Sequence, residues 1–255
     1  MFSRLFGFKK NKPDIADLKE APADWSFLKT DIHSHLIPAV DDGAQTIEDS
    51  ITLIRSLKDM GFKNIITTPH IKTDHYPNNR STILAGLEQL HSALKDSNID
   101  MPVAAAAEYY IDDYFMRMLA EKDLLTIRDN EILIEMSFAY EPVKFFETLF
   151  KIQTVGYKPV LAHPERYMFY HDRMHLYKEL KDRGCLLQLN ALALTGYYGK
   201  PVKQVANILL QRGLYDYCGT DMHHTRHAEN LKQMMATPVF KTLAKYPFLN
   251  SRMPL

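Results

Sequence analysis

The chain has 255 residues, 46% hydrophobic and 24% charged, which is enough to bury a large core in one barrel-type domain or two small domains. Its formal net charge of zero gives no compositional support to a basic nucleic-acid-binding face. Two cysteines, Cys185 and Cys218, are too few for a disulfide framework, and no apolar run approaches the roughly 20 residues of a membrane span. With no secretory leader in view, we expect a reducing, cytoplasmic location.

Residues 1–23 look appended to the rest of the chain. They interleave Phe and Leu with Arg and Lys, a pattern found in segments that attach proteins to anionic membrane surfaces. The short length and the few charges favour a flexible tail, or a segment packed on the outside of the domain. We therefore expect a tail over residues 1–23, with peripheral attachment at the inner membrane surface as the alternative, and one folded domain over residues 24–255.

Strand-like and helix-like segments alternate from about Trp25 onward. Short apolar runs predict strands over residues 27–32, 64–67, 101–107, 131–135, 158–162, 186–190 and 215–219. Helical periodicity and capping signals predict helices over residues 46–60, 79–95, 142–155, 172–183 and 201–212. The clearest helix start is at Thr46, which has capping-box spacing to Asp49. Seven such units predict an α/β fold with a parallel sheet curved into a closed or nearly closed barrel.

Metal-binding side chains follow six of the seven predicted strands. The carboxyl ends of parallel barrel strands gather at one rim, where barrel enzymes have their active sites. His33 and His35 lie two residues apart on an extended backbone, so their imidazoles point to the same side. Glu108 and Glu135 follow long apolar runs, and a buried carboxylate there needs a charged partner or a metal ion. The sequence therefore predicts a metal site at the rim.

The candidate ligands are imidazoles and carboxylates without a thiolate. This donor set favours Mn, Fe or Zn over an iron–sulfur cluster. Their number exceeds the needs of one ion, and neighbouring divalent ions are typical of phosphoryl-transfer sites. The nine candidates are His33, His35, Asp42, His70, Glu108, Glu135, His163, Asp221 and His223.

Six motifs, in order and spacing, resemble the polymerase-and-histidinol-phosphatase (PHP) superfamily: DIHSHLIPAVDDG, TTPH, AAEYY, LIEMS, LAHPERY and GTDMHH. The chain is most similar to the bacterial PHP-type protein-tyrosine phosphatases associated with capsular and exopolysaccharide synthesis. The resemblance runs from about Trp25 to the C-terminal region. It implies a single-domain, distorted (β/α)7 TIM-like barrel that holds two or three divalent ions, with Mn favoured over Fe or Zn.

The resemblance also implies how three ions would share the nine ligands. The implied groups are His33, His35, Glu108 and Asp221 for one ion, Glu108, Glu135 and His163 for a second, and Asp42, His70 and His223 for a third.

Two acidic residues next to the ligands have open roles. Asp31 shares the side of His33 and His35, so it either orients a ligand imidazole or makes a structural hydrogen bond. Asp41 is expected to be a loop or capping residue.

Two arginines are candidates for binding phosphate, because a phosphate dianion favours bidentate cationic donors. Arg166 lies three residues after His163 and resembles the phosphate-binding arginine of the family. Arg226 is the second candidate, although it departs from the Gram-positive pattern, in which the arginine falls slightly later. Nearby His224 and His227 are either proton donors to the leaving group or surface residues.

The leading functional hypothesis is a metal-dependent protein-tyrosine phosphatase in which a metal-activated hydroxide attacks phosphorus. The implied partner is a phosphotyrosine protein, the tail of a polysaccharide-associated bacterial tyrosine kinase. The cysteine-dependent mechanism does not fit, because the positions six residues after the two cysteines are Ala191 and His224 instead of arginine. Alternatives are a small-molecule phosphatase such as histidinol-phosphate phosphatase, a PHP nuclease, and a non-enzymatic binding module.

Overall fold

A computed structural model describes residues 23–253, so the predicted tail lies, except for its last residue, outside the described residues. All strand pairs are parallel, and the strands form two sheets with the orders β1–β2–β4 and β3–β5–β6–β7–β8–β9. The strands are β1 (Thr30–Asp31), β2 (Asn64–Thr67), β3 (His70–Ile71), β4 (Val103–Ala105), β5 (Glu108–Tyr110), β6 (Glu131–Glu135), β7 (Lys158–Ala162), β8 (Leu186–Asn190) and β9 (Tyr217–Gly219).

Two barrel positions are each occupied by a pair of short strands. β2 and β3 are separated at Thr68 and Pro69, where proline has no N–H to offer the ladder. β4 and β5 are separated at Ala106 and Ala107, so the single strand predicted over residues 101–107 was wrong at its end. The nine strands fill seven positions, and the predicted single-domain, distorted α/β barrel is confirmed.

Hydrogen bonds outside the regular sheets connect the first and last barrel positions. Ser34 and Met222 form a parallel bridge. The His35 N–H donates to the Met222 carbonyl at 2.9 Å, and the Asp221 N–H donates to the His33 carbonyl at 2.7 Å. This closure brings the segment after β1 beside the segment after β9, so ligands from opposite ends of the sequence become neighbours.

Helices pack outside the strands: α1 (Ile47–Asp59), α2 (Arg80–Asp96), α3 (Asp113–Glu121), α4 (Phe145–Val155), α5 (His175–Asp182), α6 (Lys200–Gln211), α7 (Thr225–Met234) and α8 (Pro238–Leu243). The five predicted helices are confirmed within a few residues, whereas α3, α7 and α8 were not predicted. The capping box at Thr46 is present in both directions. Gly156 ends α4 at a φ of 106°, a left-handed conformation that glycine adopts without strain.

The apolar core has two parts. The larger part fills the space between the strands and the helices. The smaller part contains Ile66, Leu133, Val160 and Tyr217, each from a different barrel position. Successive strand residues point to opposite faces of a sheet, so these side chains fill the barrel interior. The carboxyl ends of the strands, above this interior, are left for polar residues.

No helix within residues 23–253 is long and apolar enough to cross a bilayer.

Candidate metal centre

The structure brings all nine predicted ligands together at the carboxyl ends of the strands. His33 and His35 are fully buried beneath a cavity of about 290 Å³. The other seven side chains line that cavity: Asp42, His70, Glu108, Glu135, His163, Asp221 and His223.

Four buried side chains form what we call the deep group: His33, His35, Glu108 and Asp221. The His33 Nε2 atom lies 3.2 Å from Glu108 Oε2 and 3.4 Å from Asp221 Oδ1. The His35 Nε2 atom lies 3.5 Å and 3.4 Å from the same two oxygens. Four ligand atoms placed about 2.1 Å from one ion in tetrahedral geometry lie about 3.4 Å apart. Each of these four separations fits two ligands of one ion, and the ligand atoms of His33, His35 and Glu108 all lie within 4.8 Å of one another.

Three atoms of the deep group are buried without a hydrogen-bond partner among residues 23–253. They are Nε2 of His33, Nε2 of His35 and Oε2 of Glu108. Buried polar atoms in folded proteins are almost always partnered, because leaving one unpaired costs its full desolvation free energy. That three such atoms converge on one point fits a bound cation.

Glu108 also faces a second set of ligand atoms through its other oxygen. Its Oε1 lies 3.0 Å from Nε2 of His163, and that nitrogen is 3.5 Å from Oε1 of Glu135. Burial, and then repulsion from Glu108, raise the pKa of Glu135 well above its usual value. Carboxylates crowded in this way ionise together when a divalent cation binds between them. Both carboxylate oxygens of Glu108 therefore face groups that could bind a metal ion, an arrangement in which Glu108 would bridge two ions if both were bound.

The third set, which we call the shallow group, consists of Asp42, His70 and His223. The Asp42 Oδ1 atom lies 3.5 Å from Nε2 of His223 and 3.7 Å from Nε2 of His70. The Asp42 side chain is 53% exposed, whereas those of His70 and His223 are 12% and 14% exposed. These ligands therefore lie nearer to solvent than the deep group.

Two ligands have an unusual backbone conformation. His163 and Asp221, which follow β7 and β9, have φ angles of 34° and 51°. A positive φ is uncommon for residues other than glycine, and such residues cluster at functional sites.

Buried acceptors fix the tautomers of both deep histidines. The Nδ1–H of His33 donates to the side-chain carbonyl of Gln188 at 2.8 Å, and that of His35 donates to Asp41 at 2.7 Å. Each bond leaves Nε2 with a free lone pair for a metal ion. Asp41 also accepts hydrogen bonds from the backbone N–H groups of His70 and Gly43, so it ties the loop after β1 to β3.

Asp41 and Asp31, the two aspartates near the ligands in sequence, have different roles in the structure. Asp41, predicted to be a loop or capping residue, is the carboxylate that holds a ligand imidazole. Asp31 instead accepts hydrogen bonds from the backbone N–H and the hydroxyl of Thr220, each at 2.9 Å, so its structural alternative is confirmed. Burial raises the pKa of Asp31 to about 6.

Arg166 is fixed in the wall of the cavity. Its guanidinium lies between the rings of Phe138 and Tyr198, 4.3 Å and 4.2 Å from their centroids. Its Nη1 atom donates to Asp221 at 3.1 Å. Stacking on two rings and pairing with a carboxylate hold the planar donor fork in one orientation.

Arg226 lies elsewhere. It is exposed near the start of α7, 5.6 Å from the ring centroid of Tyr197, and is not among the described residues that line the cavity. Its neighbours His224 and His227 do line it.

Sequence reasoning missed several residues that support the ligands. Asn190 donates to Asp221 at 2.7 Å, and Gln188 holds His33. Both are polar residues within the otherwise apolar β8, and this interruption was a signal that could have been used. Tyr198, which stacks on Arg166, lies between β8 and α6, where a pair of adjacent tyrosines was the available signal.

The fold and the cluster together define a barrel protein with a metal centre of histidines and carboxylates at the rim. A comparison with known protein families identifies the family of the chain. Residues 29–246 match the model of the capsular polysaccharide synthesis family CpsB/CapC, and the chain belongs to this family.

Its relatives include proteins named as phosphatases. The tyrosine-protein phosphatase YwqE of Bacillus subtilis is 32% identical over 197 residues, which are 77% of this chain and 78% of YwqE. The tyrosine-protein phosphatase CpsB of Streptococcus pneumoniae is 30% identical over 200 residues, or 76% of this chain and 82% of CpsB. Crystal structures of YwqE and CpsB describe them as unique metal-dependent tyrosine phosphatases. One chain of these structures is 29% identical to this chain and superimposes on it with a TM-score of 0.73. The superposition covers 88% of this chain and 94% of the other.

Proposed function

We propose that this protein is a metal-dependent protein-tyrosine phosphatase that uses two or three divalent ions, with Mn favoured. The observation that carries the proposal is the convergence of three unpartnered buried ligand atoms, on His33, His35 and Glu108, beside the fixed cation of Arg166. The names and metal dependence of the relatives support the same activity.

Divalent ions bound at this centre would supply Lewis acidity, which lowers the pKa of water and neutralises phosphoryl oxygens. Arg166 contributes two parallel donors to the equatorial phosphoryl oxygens, and its bond to Asp221 keeps them aimed into the cavity. A tyrosine phenolate has an intrinsic pKa near 10, so it leaves with little help from a general acid. Hydrolysis by this route needs no covalent phosphoenzyme.

We propose Arg226 as a second, weaker phosphate-binding residue. Its position on the first turn of α7 is two residues after His224, which lines the cavity. A long arginine side chain there can approach a substrate that extends out of the cavity, where exposure to water reduces its contribution.

We further propose that the substrate is a phosphotyrosine protein, the tail of a bacterial tyrosine kinase associated with polysaccharide synthesis. Membership of the capsular polysaccharide synthesis family supports this partner. Zero net charge and a cavity with four carboxylates among its lining residues argue against a nucleic-acid substrate.

The test compares substrates on Mn-reconstituted protein. We expect hydrolysis of a phosphotyrosine peptide at a kcat/KM at least about a hundredfold above those for a phosphoserine peptide, histidinol phosphate and single-stranded DNA. A preference for histidinol phosphate would instead establish a small-molecule phosphatase, and cleavage of DNA would establish a nuclease.

We also propose a cytoplasmic location, with residues 1–23 as a tail outside the catalytic domain. Cell fractionation of the full chain and of a chain lacking residues 1–23 tests this. If the full-length protein is found in the cytoplasmic fraction, residues 1–23 are a tail without a membrane role. If the full-length protein is found with the inner membrane and the shortened chain is not, residues 1–23 attach the protein to the membrane surface.

A further inference from the structure

Exposed apolar side chains concentrate on one loop beside the cavity. Five large hydrophobic residues are strongly exposed within residues 23–253, and three of them lie on the segment between β6 and α4. These are Phe138, Tyr140 and Val143, which are 44%, 66% and 88% exposed. We call residues 136–144 the β6–α4 loop. Single exposed apolar residues are ordinary, but a group of them marks a binding surface.

The β6–α4 loop is held in place by its polar residue. Glu141 accepts a hydrogen bond from the Tyr170 hydroxyl at 2.7 Å and another from Arg173 at 3.1 Å. Its charged side chain is thus partnered by the protein, while Tyr140 and Val143 on either side of it face solvent. This is the reverse of the usual arrangement, in which apolar groups face inward and charged groups face water.

The loop is continuous with the cavity through Phe138. The Phe138 ring lines the cavity, stacks on the guanidinium of Arg166 and lies 5.5 Å from the ring of His163. A phosphotyrosine whose phosphate reached the ligands would therefore pass Phe138, which connects the cavity to the loop.

The charges of the loop favour a peptide over a membrane as the occupant. Its one lysine, Lys144, is paired with Glu147 at 3.2 Å, and its one acidic residue, Glu141, is paired with Arg173 at 3.1 Å. Proteins bind an anionic lipid surface through unpaired basic residues next to apolar ones. Within residues 136–144, the β6–α4 loop has no unpaired basic residue.

We propose that the β6–α4 loop recognises the peptide around the phosphotyrosine and selects aliphatic or aromatic side chains next to it. This rests on the proposed phosphatase function and adds a sequence preference to it. Tyr140 and Val143 supply the contact surface, and Phe138 connects that surface to the catalytic cavity.

The experiment compares two phosphotyrosine peptides, one with leucine and one with serine on both sides of the phosphotyrosine, and p-nitrophenyl phosphate. The variants are Tyr140→Ser/Val143→Ser and the control Phe150→Ser, which removes a 69% exposed aromatic residue of α4 that faces a groove beside α3. We expect the wild type to favour the leucine peptide about tenfold in kcat/KM, mainly through KM. The double variant should lose this preference, the control should keep it, and p-nitrophenyl phosphate should be hydrolysed equally by all three.

Three outcomes would overturn the proposal without touching the phosphatase function. They are equal wild-type kinetics on both peptides, an equal loss of p-nitrophenyl phosphate hydrolysis in the double variant, and a loss of binding to phosphatidylglycerol vesicles in that variant with unchanged peptide kinetics. Failure of the wild type to hydrolyse any phosphotyrosine substrate would overturn the proposed function itself.

Discussion

The deep and shallow groups of the metal centre are built differently. The deep ligands His33 and His35 are fully buried, and each is held by a hydrogen bond from Nδ1 to a buried side chain. In the shallow group, the Asp42 side chain is half exposed, and the Nδ1–H of His223 donates to a backbone carbonyl, that of Asp221. The deep group is therefore pre-organised by the core, whereas two of the three shallow ligands, Asp42 and His223, lie in loops.

This difference predicts unequal binding of metal ions at the two ends of the centre. Rigid ligands with fixed tautomers lose little conformational entropy when an ion binds, and supporting hydrogen bonds strengthen them as donors. Water competes more effectively for an exposed carboxylate such as Asp42. We expect the ion at the deep group to bind more tightly and to exchange more slowly than the ion at the shallow group.

The largest effect is expected for Glu108→Gln, because Glu108 contacts the deep ligands through one oxygen and His163 through the other. Replacing one carboxylate oxygen by an amide nitrogen removes the bridging ligand, and loss of the ions removes several kcal/mol of transition-state stabilisation. We expect activity on a phosphotyrosine peptide to fall by about a thousandfold or more, together with the metal content. Circular dichroism controls for folding. Full metal content in the variant would contradict the bridging role.

The two arginines provide the next contrast, because Arg166 pairs with the deep ligand Asp221, whereas Arg226 is exposed beside the ring of Tyr197. Arg166→Lys keeps the charge but loses the planar fork and its stacking, so kcat/KM should fall by about a hundredfold. Arg226→Lys is the matched substitution and should cost less than about tenfold. Equal losses in steady-state kinetics would show that the observed position of Arg226 does not reflect its role.

Asp41→Asn tests whether the deep group depends on its supporting carboxylate. The amide holds the imidazole of His35 less strongly, so we expect the affinity of the deep group for metal to fall by about 10- to 100-fold, measured by competition with a chelator. Asp31→Asn is the control, because Asp31 accepts hydrogen bonds from Thr220 and holds no ligand imidazole among residues 23–253, so this change should alter metal affinity by less than about twofold. A larger loss of metal affinity in Asp31→Asn than in Asp41→Asn would show that Asp31 is the residue that orients a ligand imidazole.

Asp42→Asn is expected to lower the metal affinity of the shallow group and to leave that of the deep group unchanged. We expect partial loss of metal on dialysis, about one ion per chain, with the remainder retained, because the deep ligands are untouched. Metal analysis before and after dialysis measures this. Complete loss from the variant, with complete retention by the wild type, would show that the two groups bind their ions as one unit.

The smallest effect is expected from thiol reagents. Burial raises the pKa of Cys185 to about 12 and that of Cys218 well above its usual value, so neither thiol is ionised at neutral pH. Iodoacetamide should leave native protein unlabelled and fully active, as judged by mass spectrometry and by peptide hydrolysis. Labelling with inactivation would contradict a cysteine-independent mechanism.

The sequence predicted the positions of the ligands because a simple rule relates them to the fold. Parallel strands bring their carboxyl ends to one rim, so His163 after β7 and Asp221 after β9 could be placed together without knowing any side-chain contact. The helix that begins after Thr46 was likewise predictable, because a capping box is a local signal.

The supporting residues could not be predicted, because they depend on how the chain closes in space. Asp31 ends β1, two residues before His33, yet its carboxylate bonds to Thr220 after β9, which only barrel closure brings near. Asp41 lies six residues beyond His35 in sequence, and only the fold of the loop after β1 returns it to that imidazole. The break at Ala106 likewise carries no local sequence signal, whereas the break at Pro69 does, because proline has no N–H to offer the ladder.

The central claim is that metal ions bound by these ligands make this protein a phosphotyrosine phosphatase. The most direct test titrates Mn into metal-free protein while bound metal and hydrolysis of a phosphotyrosine peptide are measured together, for the wild type and for His33→Ala/His35→Ala. We expect no activity in metal-free protein, recovery in the wild type as ions bind, and no recovery in a folded double variant. Activity that persists without metal, or that returns in the double variant, would contradict the claim.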